Sequence, residues 1–275
     1  MITTRLPSHQ SYLSVDWQNP IDRTHHLNKG LVGWWLNVPH LQGGTILHDL
    51  AGENHGNLTN MNPATDWVQG GRLGGFGALD FDGIDDRVET LNLPIPSSAI
   101  SLFVWVNRSS GGGGSRIAVS HYNTNPLEGA ELDASNGINV AIALITSAGT
   151  KVITAPQPAE GVWHHLGLTW DGATFTMYKD GVVVAAEPLA GTITGTARPL
   201  IIGNFIGGGH NYSGKIDDVR EYSRALSASQ VAEYFQLSQQ GYPGIFNRWQ
   251  RRAYSISAAI LRFRPIGSAV IQGMA

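Results

Sequence analysis

The sequence predicts an all-β fold of the sandwich or barrel kind, and three observations carry that prediction. Asp171-Gly172 and Asp180-Gly181 sit nine residues apart in a stretch rich in β-branched and aromatic residues. Such pairs accept the positive φ angles of tight hairpin turns, so a three-strand meander is expected. Strand-like runs recur along the chain with Gly, Pro, Asn and Asp between them. Glycine supplies 34 of the 275 residues and only 14% are charged, a balance suited to short strands and tight turns rather than long solvated helices.

In chain order, residues 1–28 hold no sustained period of 2 or 3.6 and read as an extended arm. From Gly30 onward strands are predicted at 31–36, 77–81, 86–91, 100–107, 115–121, 137–145, 150–155, 162–170, 173–179, 182–186, 199–203 and 213–222. In the meander, Leu166, Leu168 and Trp170 alternate with His165, Gly167 and Thr169, which predicts a sheet with one buried face. Gly111–Ser115 reads as a hairpin tip, because strand patterning resumes at once. Lys215-Ile-Asp-Asp-Val-Arg220 places two acids between Ile216 and Val219, a spacing that strict alternation cannot bury on one side, so a bulge or a ligand is expected there. One helix is predicted at 227–238: Ser227-Ala-Ser-Gln230 has the capping-box form, and Val231, Tyr234, Phe235 and Leu237 follow at helical spacing. Beyond Pro243 an Arg-rich, Ala/Ile-rich tail begins, giving three parts: an arm at 1–28, a β domain at 29–240 and a tail at 241–275.

Composition narrows the chemistry. The absence of cysteine removes disulfides, thiolate nucleophiles and Cys-ligated metals. No run approaches the roughly 18 apolar residues of a membrane span. The first ten residues lack a basic start followed by an apolar core, so a cytosolic origin is expected. The net charge is −3, but residues 241–275 hold five arginines and no acid.

Four segments occur in one order with the meander: Gly30-Leu-Val-Gly-Trp-Trp35, Asp49-Leu-Ala-Gly-Glu-Asn-His-Gly-Asn57, Ala78-Leu-Asp-Phe-Asp-Gly-Ile-Asp-Asp-Arg-Val88 and Gly214-Lys-Ile-Asp-Asp-Val-Arg-Glu-Tyr-Ser-Arg-Ala-Leu-Ser227. Over roughly 29–238 this order resembles the laminin-G-like, concanavalin-A-like jelly-roll family. The resemblance implies a two-sheet antiparallel sandwich, first and last strands adjacent, a short helix after the last strand, and extended terminal arms. It also implies a calcium ion joining the early loop to the last strand, with Asp217, Asp49 and Asn54 on the matching positions. Carboxylates beside a Gly/Asn-rich turn suit such a hard cation, although the same residues are the default turn formers.

Related jelly-roll glycanases carry Glu-x-Asp-x-x-Glu on one strand. The nearest match here, Glu131-Leu-Asp-Ala-Ser-Asn136, ends in an amide that cannot donate and recover a proton, and its surroundings read as a loop. No Gly-x-Ser-x-Gly elbow or phosphate-cradling loop is present, so the chain is expected not to be an enzyme. The adjacent His164 and His165 point to opposite faces of a strand and cannot easily share an ion.

Carbohydrate recognition needs aromatic faces beside hydrogen-bonding groups. Tyr122, Asn123, His210, Asn211 and Tyr212 fall in predicted loops with that composition, whereas Trp34, Trp35, Trp105, Trp163 and Trp170 are assigned to the core. In the tail, Arg248, Trp249, Arg251, Arg252, Arg262 and Arg264 are interleaved with apolar residues, as at protein interfaces, while five charges give only a small footprint for nucleic acid. The expected partners are therefore a protein assembly, sister subunits of a homo-oligomer and glycans, with no membrane. The arrangement also resembles phage-encoded virion proteins, which implies a capsid decoration, head-fibre or tail accessory role. The alternative is a free lectin or a bacterial surface adhesin.

Overall fold

The computed structural model describes residues 21–38, 44–69, 72, 77–109, 116–124, 127–134, 139–194, 197–205, 208–242 and 245. The strands are β1 (Leu31–Trp35), β2 (Ile46–Leu47), β3 (Gly56–Thr59), β4 (Trp67–Val68), β5 (Ala78–Asp82), β6 (Arg87–Leu93), β7 (Ile100–Arg108) and β8 (Ile117–Thr124). They continue as β9 (Leu127–Asp133), β10 (Asn139–Thr146), β11 (Gly149–Pro156), β12 (Trp163–Trp170), β13 (Thr174–Lys179), β14 (Val182–Pro188), β15 (Arg198–Ile202) and β16 (Ser213–Tyr222), before helix α1 (Ala228–Gln239). One antiparallel sheet runs β14-β13-β12-β7-β16-β5-β4, with β1 also on β16, and the other runs β11-β10-β9-β8-β15-β6-β3-β2. The principal core lies between them and is built from inward residues such as Trp35, Phe81, Val104, Leu132, Ile142, Leu168 and Trp170.

Every predicted run has its strand, and β1 pairs with β16 as the resemblance implied. The capping box of α1 is complete: Ser227 Oγ accepts from the Gln230 N–H, and the Gln230 side chain accepts from the Ser227 N–H. The bulge in β16 exists too. Its register shifts between Asp217 and Arg220, and Asp218 adopts φ 53°.

Four strands have no counterpart in the sequence reading. β2, β3 and β4 are too short for alternation to register. β9 was expected to be a loop because acids occupy 128, 131 and 133, yet it pairs with β8 and β10 along its length and turns Ala130 and Leu132 into the core. The alternation is real but is carried by a small residue and a single leucine.

The meander departs from expectation in two ways. At the second turn Asp180 and Gly181 have φ 52° and 77°, as a two-residue hairpin requires, but at the first only Gly172 is positive. There Asp171 uses its side chain, with Oδ1 accepting from the N–H groups of Ala173 and Thr174 at 3.0 and 2.7 Å. The sheet is also buried on both faces. A second core of Leu27, Trp34, Phe103, Tyr178, Tyr234 and Tyr242 fills the space under α1 and covers His165, which is 0% exposed.

That second core includes chain assigned to the terminal arms. Ile21 and Leu27 are buried in it, as are Tyr242 and Ile245. The Ile245 carbonyl accepts from the Asp22 N–H at 2.9 Å and from Asn28 Nδ2 at 3.1 Å, so the packed body extends from residue 21 to residue 245. Residues 1–20 and the tail positions Arg248, Trp249, Arg251, Arg252, Arg262 and Arg264 lie outside the described residues.

Candidate functional site

Asp49 and Asp217, two of the three expected calcium ligands, accept hydrogen bonds from the surrounding chain. Asp49 Oδ1 accepts from the N–H groups of Trp34 and Ala51, each at 2.8 Å, and its Oδ2 accepts from the Asn54 N–H at 3.2 Å. The Asn54 carbonyl accepts from Trp35 Nε1 at 2.8 Å. Asp217 Oδ1 accepts from the Asn37 N–H, from Asn37 Nδ2 and from the Asp218 N–H, while Oδ2 faces Arg72 Nε at 3.3 Å. Calcium wants about six to eight oxygens turned toward one point. The Asp49 and Asp217 oxygens accept from N–H groups, and a guanidinium supplies positive charge beside Asp217, an arrangement that competes with a cation for the same oxygens. The expected result is an unchanged melting temperature on adding calcium or chelator. A calcium-induced rise that disappears in Asp49→Asn would restore the metal.

Arg72 belongs to a charged cluster buried beneath α1. Asp218 Oδ1 accepts from Trp34 Nε1 at 2.7 Å and Arg220 Nε at 3.1 Å, and Oδ2 accepts from Tyr234 Oη at 3.0 Å, Arg72 at 3.2 Å and Tyr242 Oη. Burial opposes the Asp218 charge, but Arg220 and Arg72 outweigh it and hold this carboxyl below its ordinary range. Desolvation dominates at Asp217 and raises it, with Arg72 opposing. The Arg220 guanidinium lies 3.6 Å from the Trp34 ring centroid and 4.3 Å from that of Tyr234. The consecutive acids of the last strand are thus divided between two arginines by the bulge.

The residues expected to bind glycan are only partly a surface. Tyr122 is buried on β8 rather than in a loop, and Tyr212 is fully buried against Phe81. Neither ring presents a face to a sugar. Asn123 lies on β8 opposite Glu128. Asn211 is tied to Asn204 and to the Ile84 carbonyl, and His210 is exposed beside Phe205, which also packs on Tyr122. The structure therefore gathers Tyr122, His210 and Asn211 at one rim through Phe205, a residue the sequence reading did not select.

Glu131 and Asp133 share the outward face of β9. Asp133 is buried and accepts from the Arg116 N–H at 3.0 Å. Glu131 is pushed up to about 7, chiefly by burial and then by Asp133, against a hydrogen bond with Tyr122. Its ordinary value is 4.5, so between about pH 4.5 and 7 the unfolded chain loses this proton while the folded chain keeps it, and stability falls as pH rises. Glu131→Gln should flatten that fall in a series of melts, and an unaltered slope would contradict it.

The open cleft lies elsewhere, where the start of β12, the Asp180-Gly181 turn and the C-terminal half of α1 meet. Its volume is about 370 Å3, within the roughly 300–1,000 Å3 of small-molecule sites. Trp163 and Phe235 line it half-buried, and Phe235 stacks on the buried Trp105 with ring centroids 5.4 Å apart at 12°. Trp163 was assigned to the core, but as the first residue of β12 it lies at the strand end, where packing is incomplete. The polar lining is His164, Asp180, Gln239 and Arg72. His164 Nδ1 lies 2.8 Å from Asp180 Oδ2, and Asp180 Oδ1 accepts from the His165 N–H at 2.9 Å. His164 Nε2 is buried without a hydrogen-bond partner among the described residues, and Arg72 Nε is turned to Asp217 Oδ2. Sequence reasoning missed this site, although the Asp-Gly turn, the His-His pair and the helix that build it were all in view; the signal lacking was where α1 docks, since Phe235 lies 55 residues beyond Asp180.

Residues 82–232 match the profile of the family described as the concanavalin A-like lectin/glucanases superfamily, more than half of the chain. A curated relative, adhesion G-protein coupled receptor V1 of Danio rerio, is 27% identical over 172 residues, covering 59% of this chain and 3% of the receptor. Among solved structures, the botulinum neurotoxin serotype G binding domain aligns with a TM-score of 0.57 at 13% identity, over 76% of this chain and 51% of that one. The binding domain of Paraclostridial Mosquitocidal Protein 1 gives 0.58 at 16% identity, covering 76% and 52%. Trypanosoma rangeli sialidase in complex with sialic acid gives 0.56 at 14% identity, covering 76% and 33%. The chain thus spans a small fraction of the curated relative and about half or less of each structural neighbour, and at these identities the structural likeness is one of fold.

Proposed function

The chain belongs to the concanavalin A-like lectin/glucanases superfamily, and on that premise we propose that it is a non-catalytic, lectin-like attachment module that recognises carbohydrate through the cleft at Trp163 and is held in a phage virion by its terminal segments. The observation that carries the recognition is the cleft's make-up. An aromatic face at Trp163 and Phe235 stands beside the amide of Gln239, the carboxylate of Asp180 and the ring of His164. Aromatic faces stack on the C–H faces of sugar rings, and amides and carboxylates hydrogen-bond their hydroxyls.

The non-catalytic reading is supported by Glu131 and Asp133. Position 136, where the glycanase pattern has its third acid, is Asn, and Asp133 is committed to the Arg116 N–H. Attachment through both ends is supported by the contacts at Ile245, which bring residues 22 and 28 beside it, so the two ends of the described body lie together. The test is a broad glycan array probed with the full chain and with Trp163→Ala. Binding should be present and lost in the variant, and an array without hits at millimolar sugar would contradict recognition. Deleting 246–275 should leave the body folded but prevent incorporation into virions, whereas normal incorporation would contradict the anchoring role.

A further inference from the structure

Independently of what the Trp163 cleft takes, we propose that His25, His26 and Glu233 form a binding site for a transition-metal dication of the zinc class. The argument starts from the backbone. His26–Asn28 form a single 3-10 turn, and His25 is its N-cap, with φ −64° and ψ 132°. On a strand, neighbouring side chains point to opposite faces. Here the step from extended cap to turn brings the two imidazoles together, stacked with ring centroids 4.6 Å apart at 26°. Successive histidines thus share one side of the chain.

Helix α1 supplies the third group. His26 Nε2 lies 2.8 Å from Glu233 Oε2, and one ligand atom from each of the three side chains falls within 4.8 Å of the others. Tetrahedral zinc, with bonds of about 2.0–2.2 Å, holds neighbouring ligand atoms roughly 3.3 Å apart, a spacing between those two separations. The ligand mix decides the ion. Two imidazoles and one carboxylate suit zinc, nickel or copper, whereas calcium and magnesium prefer sites made of oxygen alone. Three protein ligands leave a further position for water.

One arginine fixes the scaffold on both sides. Arg224 donates to the His26 carbonyl at 3.0 Å, to the Lys29 carbonyl at 2.6 Å and to Gln230 Oε1 at 2.9 Å, so it ties the histidine turn to the first turn of α1. Gln230 and Glu233, three residues apart, are neighbours on the helix surface. The site is also open: the His26 and Glu233 side chains are 49% and 42% exposed, which gives an ion its way in. The ion takes the place of protons. His26 and Glu233 share one in their hydrogen bond, and His25 Nδ1 accepts from the Leu27 N–H at 3.2 Å, a bond that His25 gives up if it coordinates through Nε2 and carries its proton on Nδ1. Those exchanges make the affinity modest rather than that of a closed structural site. An ion held here fastens to α1 the same segment, residues 22–28, that meets Ile245.

The experiment melts the full chain, freed of metal by dialysis, with Zn2+, Ni2+, Ca2+ or Mg2+. With Zn2+ at tenfold its dissociation constant the melting temperature should rise by about 3 °C or more, while calcium and magnesium should leave it unchanged. His26→Ala and Glu233→Gln should each abolish the rise. Both positions are partly exposed, so the metal-free melts of these variants should match wild type, which separates lost binding from lost folding. His55→Ala, at the other close histidine pair, should keep the rise. Amide spectra with Ni2+ should lose the signals of residues 25–27 and 233 first. No rise with either zinc or nickel would overturn the site, as would an equal rise with calcium. A zinc effect that His55→Ala removes and His26→Ala keeps would place the ion at the other pair and overturn the assignment. A rise that survives both His25→Ala and Glu233→Gln would overturn the three-ligand set.

Discussion

Replacing Asp218 with alanine is expected to cost the fold on the order of 3–5 kcal/mol, the range seen when one member of a buried ion pair is removed. Asp218 and Arg220 are both 0% exposed, and five donors converge on the one carboxylate. Without it Arg220 remains in the protein interior against three aromatic rings, with no countercharge in hydrogen-bonding contact. The loss should also loosen α1, because Tyr234 belongs to the helix and Tyr242 to the segment just beyond it. Denaturant unfolding of the full chain measures the effect. Asp218→Asn is the informative companion: it keeps acceptor capacity, tolerates the positive φ at this position and removes only the charge, so it should fall between wild type and alanine. A loss below about 1 kcal/mol for the alanine variant would mean that the cluster is not what holds the helix.

The second large effect is expected at Gly129. This residue has φ 146° on β9, and a Cβ placed there would meet the His121 carbonyl oxygen at 2.2 Å and Tyr122 Cα at 2.8 Å. Both neighbours are backbone of β8 and cannot rotate aside. Gly129→Ala therefore combines a backbone conformation disfavoured for L-residues with overpacking in a sheet interior, each costing roughly 1–3 kcal/mol. The strain falls where His121 enters the core to pair with Glu221 at 2.6 Å, so the damage should reach the contact between the two sheets. A melting temperature within about 2 °C of wild type, a small fraction of the shift such a loss gives, would show that β9 can separate from β8 without consequence.

The architecture was legible in the sequence wherever alternation was strong. The Trp34-Trp35 strand, the Asp180-Gly181 turn, the β16 bulge and the capped helix all follow from local patterns, and the structure contains each of them. Burial of the second face of the meander was not legible. His165 looks solvent-facing within its own strand, and it is the arrival of α1, with Tyr234 and Phe235 against its ring, that encloses it. The same limit governed the sites. Asp49 and Asp217 have the chemistry of cation ligands, but Arg72, distant from both in sequence, already occupies the partner's role at Asp217. Tyr122 and Tyr212 carry the residue types of a sugar platform, but strand pairing turns both inward. The cleft at Trp163 arises from three separate segments, and no single stretch announces it.

The most direct test of the central claim is a crystal structure of the full chain with an oligosaccharide that binds it in solution. The account places the sugar ring on Trp163, with a hydroxyl within hydrogen-bonding distance of Gln239 or Asp180. Sugar density at the rim formed by Phe205, His210 and Asn211, with the Trp163 cleft empty, would contradict it.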